Sequence, residues 1–209
     1  MKTELPFEII DGFKLYNFKK SWYYLQALGK QKFGQKFKLH PEDKVIIYKL
    51  MIYFIRDEEN CAKYGIDLEK GILLNGPVGC GKTSLMTLMR SFAYPDHNYI
   101  IKSTRDIASE FNQEGYPIIQ KYGKSGNKIY CFDDLGVENN MKYFGNECNT
   151  VAEILLQRYE LQIMEGTVTH ATTNLNSNEL EELYGNRVRS RLRSMFNLLA
   201  FTQNAKDKR

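Results

Sequence analysis

The stretch "GILLNGPVGCGKTSLMTLMR", Gly71 to Arg90, restricts this chain more than any other. An apolar run ends in a glycine-rich turn, a Lys-Thr pair follows, and an amphipathic segment begins. Gly76-Pro77-Val78-Gly79-Cys80-Gly81-Lys82-Thr83 fits G-x-x-x-x-G-K-[ST] without a mismatch. Glycines let the backbone curl so that its N–H groups face phosphate oxygens. The helix opening near Lys82 aims the positive end of its dipole at the same place. Lys82 is expected to reach the β- and γ-phosphates and the Thr83 hydroxyl to ligate Mg²⁺, with the cradle running on through Ser84. The expected ligands are therefore ATP and Mg²⁺. Cys80, inside the loop, is either a small space-filler or a thiol made acidic by the helix N-terminus.

The texture around this loop sets the fold class. From Gly65 onward short β-rich runs alternate with longer amphipathic ones. Strands are expected near 71–75, 98–102, 128–133, 167–172 and 197–202, and helices near 82–92, 105–114, 148–164 and 177–184. Such alternation implies parallel strands with crossover helices, an α/β sheet covered on both faces. Residues 12–67 read as helical, with Phe18, Trp22 and Leu25 on one face and a second helix opening at Pro41 and running to about Asn60. The expected division is a helical extension over 1–64 and an α/β core over 65–209.

Two further runs complete a phosphate chemistry. "KIYCFDDLG", Lys128 to Gly136, is an apolar strand ending in two acids. Asp133, at its tip, is placed to hold the Mg²⁺ shell; Asp134 can orient or polarise an attacking water. "TVTHATTNL", Thr167 to Leu175, ends in Thr-Thr-Asn, where Asn174 can contact the γ-phosphate and the water together. "LYGNRVRSRLRSMFNLLAF" places Arg187, Arg189, Arg191 and Arg193 at alternate positions. That run suits a solvated face, a phosphate-contacting patch, or an arginine finger on a neighbouring copy's ATP.

Composition excludes other classes. The four cysteines, Cys61, Cys80, Cys131 and Cys148, make no C-x-x-C pair and the three histidines are scattered, so neither a zinc site nor a disulfide framework is expected. The longest apolar run, Val45 to Ile55, contains a lysine and is too short to span a bilayer. The reading is a reduced, cytoplasmic protein without a membrane partner. A net charge of +4 permits nucleic acid without requiring it.

In this order Gly76–Thr83, "FDDLG", "TTNLN" and "YGNRVRSRL" resemble the AAA+ ATPases of the DnaA/DnaC clade, and above all the DnaC/DnaI-type helicase loaders and the related IstB-type transposition helpers. The resemblance covers about residues 60–209. It implies a P-loop core with a five-stranded parallel sheet in the order 5-1-4-3-2. Lys82 and Thr83 would be the phosphate and Mg²⁺ contacts and Asp133 the metal-side acid. Asp134 would stand where most AAA+ proteins carry a catalytic Glu. Asn174 would be the sensor and Arg191 the finger acting in trans. The few residues after the last strand, "QNAKDKR", cannot form a helical lid domain, a truncation that loaders and IstB-type proteins share; weak nucleotide retention is expected.

Residues 11–40 hold seven lysines against one acid, Asp11, interleaved with aromatic rings. Lysines beside aromatics suit single-stranded nucleic acid, and they equally suit the wet face of a small helical unit or a surface that docks on a helicase. Trp22, Tyr23 and Tyr24 are consecutive and cannot all enter one core. In the core, Arg105, Lys121 and Lys124 are candidate contacts to a DNA strand. The leading expectation is an ATP-hydrolysing loader that self-associates head to tail, engages single-stranded DNA and acts on a hexameric replicative helicase. Alternatives are an IstB-like helper of transposition, a nucleotide-gated adaptor without turnover, and a small-molecule kinase.

Overall fold

The computed structural model describes residues 5–126, 128–138, 141–143, 146–202, 205, 207 and 208. The chain opens with a hairpin of β1 (Phe7–Ile10) and β2 (Phe13–Tyr16), followed by α1 (Phe18–Phe33), α2 (Lys44–Phe54) and α3 (Glu58–Lys63). The core then runs β3 (Gly71–Asn75), α4 (Lys82–Met89), β4 (Tyr99–Ser103), α5 (Thr104–Glu114), α6 (Pro117–Gly123) and β5 (Ile129–Leu135). A short hairpin of β6 (Met141–Tyr143) and β7 (Asn146–Cys148) precedes α7 (Thr150–Glu165), β8 (His170–Thr173), α8 (Ser177–Met195) and β9 (Phe196–Ala200).

The central sheet has the order β4-β5-β8-β3-β9, and its neighbouring strands pair in parallel. Counted along its own five strands this is 2-3-4-1-5, the expected 5-1-4-3-2 read from the other edge. Alternation along the strands feeds two apolar layers. Ile72, Leu74 and Cys131 face one, together with Met86 and Leu88 of α4, Leu25 of α1 and Ile47 and Leu50 of α2. Leu73, Tyr130, Phe132 and Ala171 face the other, with Phe111 of α5, Leu155 of α7 and Leu192 of α8. Each fully buried side chain of this size contributes about 1.5–3 kcal/mol. The apolar layer under α1 and α2 is thus continuous with the sheet that carries the phosphate loop.

Three differences from the sequence reading have local causes. Residues 13–16 are strand, not helix, because Asp11 and Gly12 both take positive φ (50° and 83°) and form a tight hairpin turn. The helix read as running from Pro41 to Asn60 is a 3-10 turn (Pro41–Asp43) and two helices. Arg56 sits at φ 55°, and the Asp57 side chain then accepts from the Asn60 N–H to start α3. The helical segment read over 177–184 does end at a kink, Gly185 (φ 82°), but a second helical half that the reading lacks carries α8 on to Met195. Helix α6 and the β6–β7 hairpin were not anticipated. Of the three consecutive rings, Trp22 and Tyr24 pack against the core and Tyr23 is left 60% exposed.

Candidate nucleotide site

The phosphate loop leaves β3 at Asn75 and enters α4 at Lys82. Gly79 and Gly81 take φ of 80° and 100°, a conformation that side chains resist, and Gly81 serves as the N-cap of α4. Gly76 has no room for a Cβ, which would stand 2.8 Å from Phe201 and 2.9 Å from the Cys80 sulfur. Lys82 is 5% exposed and donates to the Gly76 and Pro77 carbonyls at 2.8 and 3.1 Å, so its ammonium is held within the loop.

The acidic strand brings its first carboxylate to the same place. The Thr83 hydroxyl lies 3.0 and 2.9 Å from the two Asp133 oxygens, and the Thr172 hydroxyl donates to Asp133 Oδ1 at 2.7 Å. Burial raises the Asp133 carboxyl above its ordinary range. The hydroxyls of Thr172 and Thr83 oppose that shift, Asp134 adds to it and Lys82 opposes it. Asp134 occupies a register shift between β5 and β8, at φ 59°. Its N–H donates to Thr172 Oγ1 and its carbonyl accepts from Thr104 Oγ1, both at 2.8 Å. The left-handed residue costs about 1–2 kcal/mol for an ordinary side chain and less for Asp. In this conformation Asp134 lines the cleft rather than continuing the strand alternation.

A cleft of about 420 Å³ gathers these groups: Val78 through Leu85, Asp134, Asn174 and Arg105 line it. Its far wall is Phe37, Lys38, Leu39 and Asp43, from the link between α1 and α2, with Lys208. Phe37 stands there because α1 carries Gly29: a Cβ at that position would come within 2.1 Å of the Phe37 ring. The Lys208 ammonium pairs with Asp43 and donates to the Cys80 carbonyl at 3.1 Å, and the Lys208 N–H donates to the Gly79 carbonyl at 3.0 Å. The described tail residues therefore touch the phosphate loop.

The sequence reading missed this far wall and the two threonines that set the Asp133-Asp134 turn. Thr172 was visible in the Thr-Thr-Asn tip, whereas Phe37 and Gly29 carried no motif. Cys80 is buried, and burial, outweighing Lys82, raises its thiol pKa, which disfavours the acidic-thiol reading.

The remaining candidate residues separate. Arg105 lines the cleft, whereas Lys121 and Lys124, at the end of α6, are not among its lining residues. Lys121 pairs with Glu110 at 2.9 Å, and Lys124 is exposed at the end of α6. Arg191 stacks over Tyr159, 4.6 Å from the ring centre, and Arg189 pairs with Glu181. Arg187 and Arg193 are exposed.

Solved structures share this architecture. The DnaC helicase loader aligns over 79% of this chain and 93% of its own, at 18% identity and a TM-score of 0.55. The fold is that of the DnaC-type loaders. DnaI matches over 84% of this chain and 89% of its own, at 18% identity and a TM-score of 0.56. A candidate primosome component from Streptococcus pyogenes serotype M3 matches over 90% and 91%, at 16% identity and 0.56. Neither a protein-family model nor a curated protein matches the sequence. Among the described residues no helix of this DnaC-like chain is long and apolar enough to cross a membrane, and no cluster of three His, Cys, Asp or Glu side chains could hold a metal.

Proposed function

We propose that the chain is an ATP-dependent helicase loader of the DnaC/DnaI type. The observation that carries the reading is the meeting of Thr83 with both Asp133 oxygens beside a loop-held Lys82, at the rim of a cleft walled by Phe37 and Leu39. The hydroxyl and carboxylate required for Mg²⁺ are adjacent, and the cleft is roomy enough for a nucleotide, so the residues fit both cofactors.

In this reading the loop N–H groups and Lys82 bind the β- and γ-phosphates, and Ser84 extends the cradle. Thr83 and Asp133 hold Mg²⁺, which neutralises phosphate charge when bound. Asp134 accepts a hydrogen bond or proton from the attacking water and Asn174 orients it. Phe37 and Leu39 give the base an apolar wall. The arginine segment of α8 supplies the finger to a second copy associated head to tail, with Arg191 the residue the resemblance favours. Its stack on Tyr159 must then open, whereas Arg187 and Arg193 are already exposed. Lysines and rings of residues 1–64 and the Lys121–Lys124 face offer surfaces to single-stranded DNA and to a hexameric replicative helicase.

The test mixes the full chain with the host's purified replicative helicase and single-stranded DNA in ATP and Mg²⁺. Complex formation by wild type and its loss in Lys82→Ala are expected. Equal complexes without nucleotide would refute the ATP dependence, and filaments on duplex DNA would favour the transposition helper instead.

A further inference from the structure

Helix α8 is fastened to the nucleotide cleft at two points. The first is through the chain. Asn174 lines the cleft and Asn176 caps the helix, accepting from the N–H groups of Asn178 and Glu179 at 2.9 and 3.1 Å, while the Glu179 carboxylate accepts from the Asn176 N–H at 2.7 Å. The second is through space. Tyr184, the last residue before the kink, donates its hydroxyl to Glu138 Oε1, and Glu138 Oε2 accepts from the Gly136 N–H at 3.0 Å. Tyr184 and Glu138 are only 7% and 9% exposed.

Gly136 stands two residues after Asp134, at φ 97°, so close to the strand tip that a Cβ would meet Leu175 at 2.2 Å. The acidic turn, the Asn174 tip and the first half of α8 are therefore one packed unit, closed by a buried hydrogen bond. Beyond it the chain kinks, and the Arg189–Glu181 pair spans the kink. Gly185 has positive φ and nothing within 4 Å of the place a Cβ would take. The half of α8 after this hinge carries Arg187, Arg189, Arg191 and Arg193.

We propose that the Tyr184–Glu138 hydrogen bond transmits the state of the nucleotide cleft to the arginine-bearing half of α8, so that Glu138 and Tyr184 act as positioning residues for the arginine presented to a second copy. The inference rests on the reading of the cleft as an ATP site. A carboxylate this buried must keep its hydrogen bonds. Any displacement of the Asp134–Gly136 turn by a phosphate therefore carries Glu138, and Tyr184 follows it. Asn174 moves the other end of the same helical segment, and the Gly185 hinge converts the shift into a new direction for the arginines.

Amide hydrogen exchange on the full chain, with and without a slowly hydrolysed ATP analogue and Mg²⁺, tests this. In wild type, nucleotide should protect the phosphate loop and change exchange across residues 186–195 by about fivefold, the scale of one hydrogen bond. Tyr184→Phe keeps the ring and removes the hydroxyl; it should retain loop protection and lose the response over 186–195. Glu138→Leu, which removes both carboxylate acceptors, should behave likewise, and serves if Tyr184→Phe does not fold. A response that persists in the folded variants overturns the coupling, as does a wild type whose loop is protected while 186–195 is unchanged. No loop protection in wild type would refute the ATP-site reading itself, and the coupling with it.

Discussion

Acid should weaken this fold chiefly through the buried His170. His170 on β8 is 1% exposed, with Tyr53, Phe54 and Tyr99 around its ring at centroid distances of 5.8, 5.4 and 4.8 Å. Its Nδ1 accepts from the Ile72 N–H at 3.1 Å, which requires an unprotonated nitrogen there. Burial, with Arg158 and His97 adding to it, pushes the His170 pKa down from 6.5 to about 3. The folded pKa lies below the unfolded one, so this contribution is complete above pH 6.5 and is lost as pH falls toward 3. Each pH unit in that window costs about 1.4 kcal/mol, or about 2 kcal/mol by pH 5. Urea unfolding of wild type and His170→Asn at pH 7 and pH 5 measures it. The Asn oxygen can still accept from Ile72, and the lost packing is the same at both pH values. His97, also lowered by burial, acts in the same direction in both proteins. The wild-type drop between the two pH values should exceed the variant's by about 2 kcal/mol. Equal drops would refute the argument.

Arg158, wholly buried, donates to Thr169 Oγ1 and to the carbonyls of Ser125, Lys128 and Val168 at 2.8–3.1 Å. Arg158→Met should cost about 3 kcal/mol because those acceptors lose their donors, and a loss under about 1 kcal/mol in urea unfolding would contradict this. Cys80 should resist a thiol reagent at pH 8 until the chain unfolds, read by mass spectrometry, since burial raises its pKa; fast native labelling would count against it. If α6 tracks a DNA strand, Lys121→Ala combined with Lys124→Ala should reduce the salt slope of single-strand binding by about 1–2, and an unchanged slope would exclude that path.

What could be read in the sequence follows from how local its causes are. The eight residues from Gly76 to Thr83 are contiguous, so their chemistry stands in order on the page. The five sheet strands and helices α4, α5 and α7 follow from hydrophobic period, which depends on neighbours along the chain. The Asp11–Gly12 turn is equally local, but it lies within a lysine-rich run that scans as helix.

By itself the sequence determined the phosphate loop, the acidic strand tip, the Asn174 tip and the parallel α/β class, because each is written in consecutive residues. Only the tertiary structure decided that Thr83 meets Asp133 fifty positions away, that Thr172 and Thr104 hold Asp134 in its left-handed turn, and that Phe37 walls the cleft through the gap left by Gly29. It also separated the arginines by burial and partner and moved Arg105 into the cleft. The physical reason is that packing brings together residues from distant parts of the chain, and no local pattern records which side chain will fill the space another leaves open.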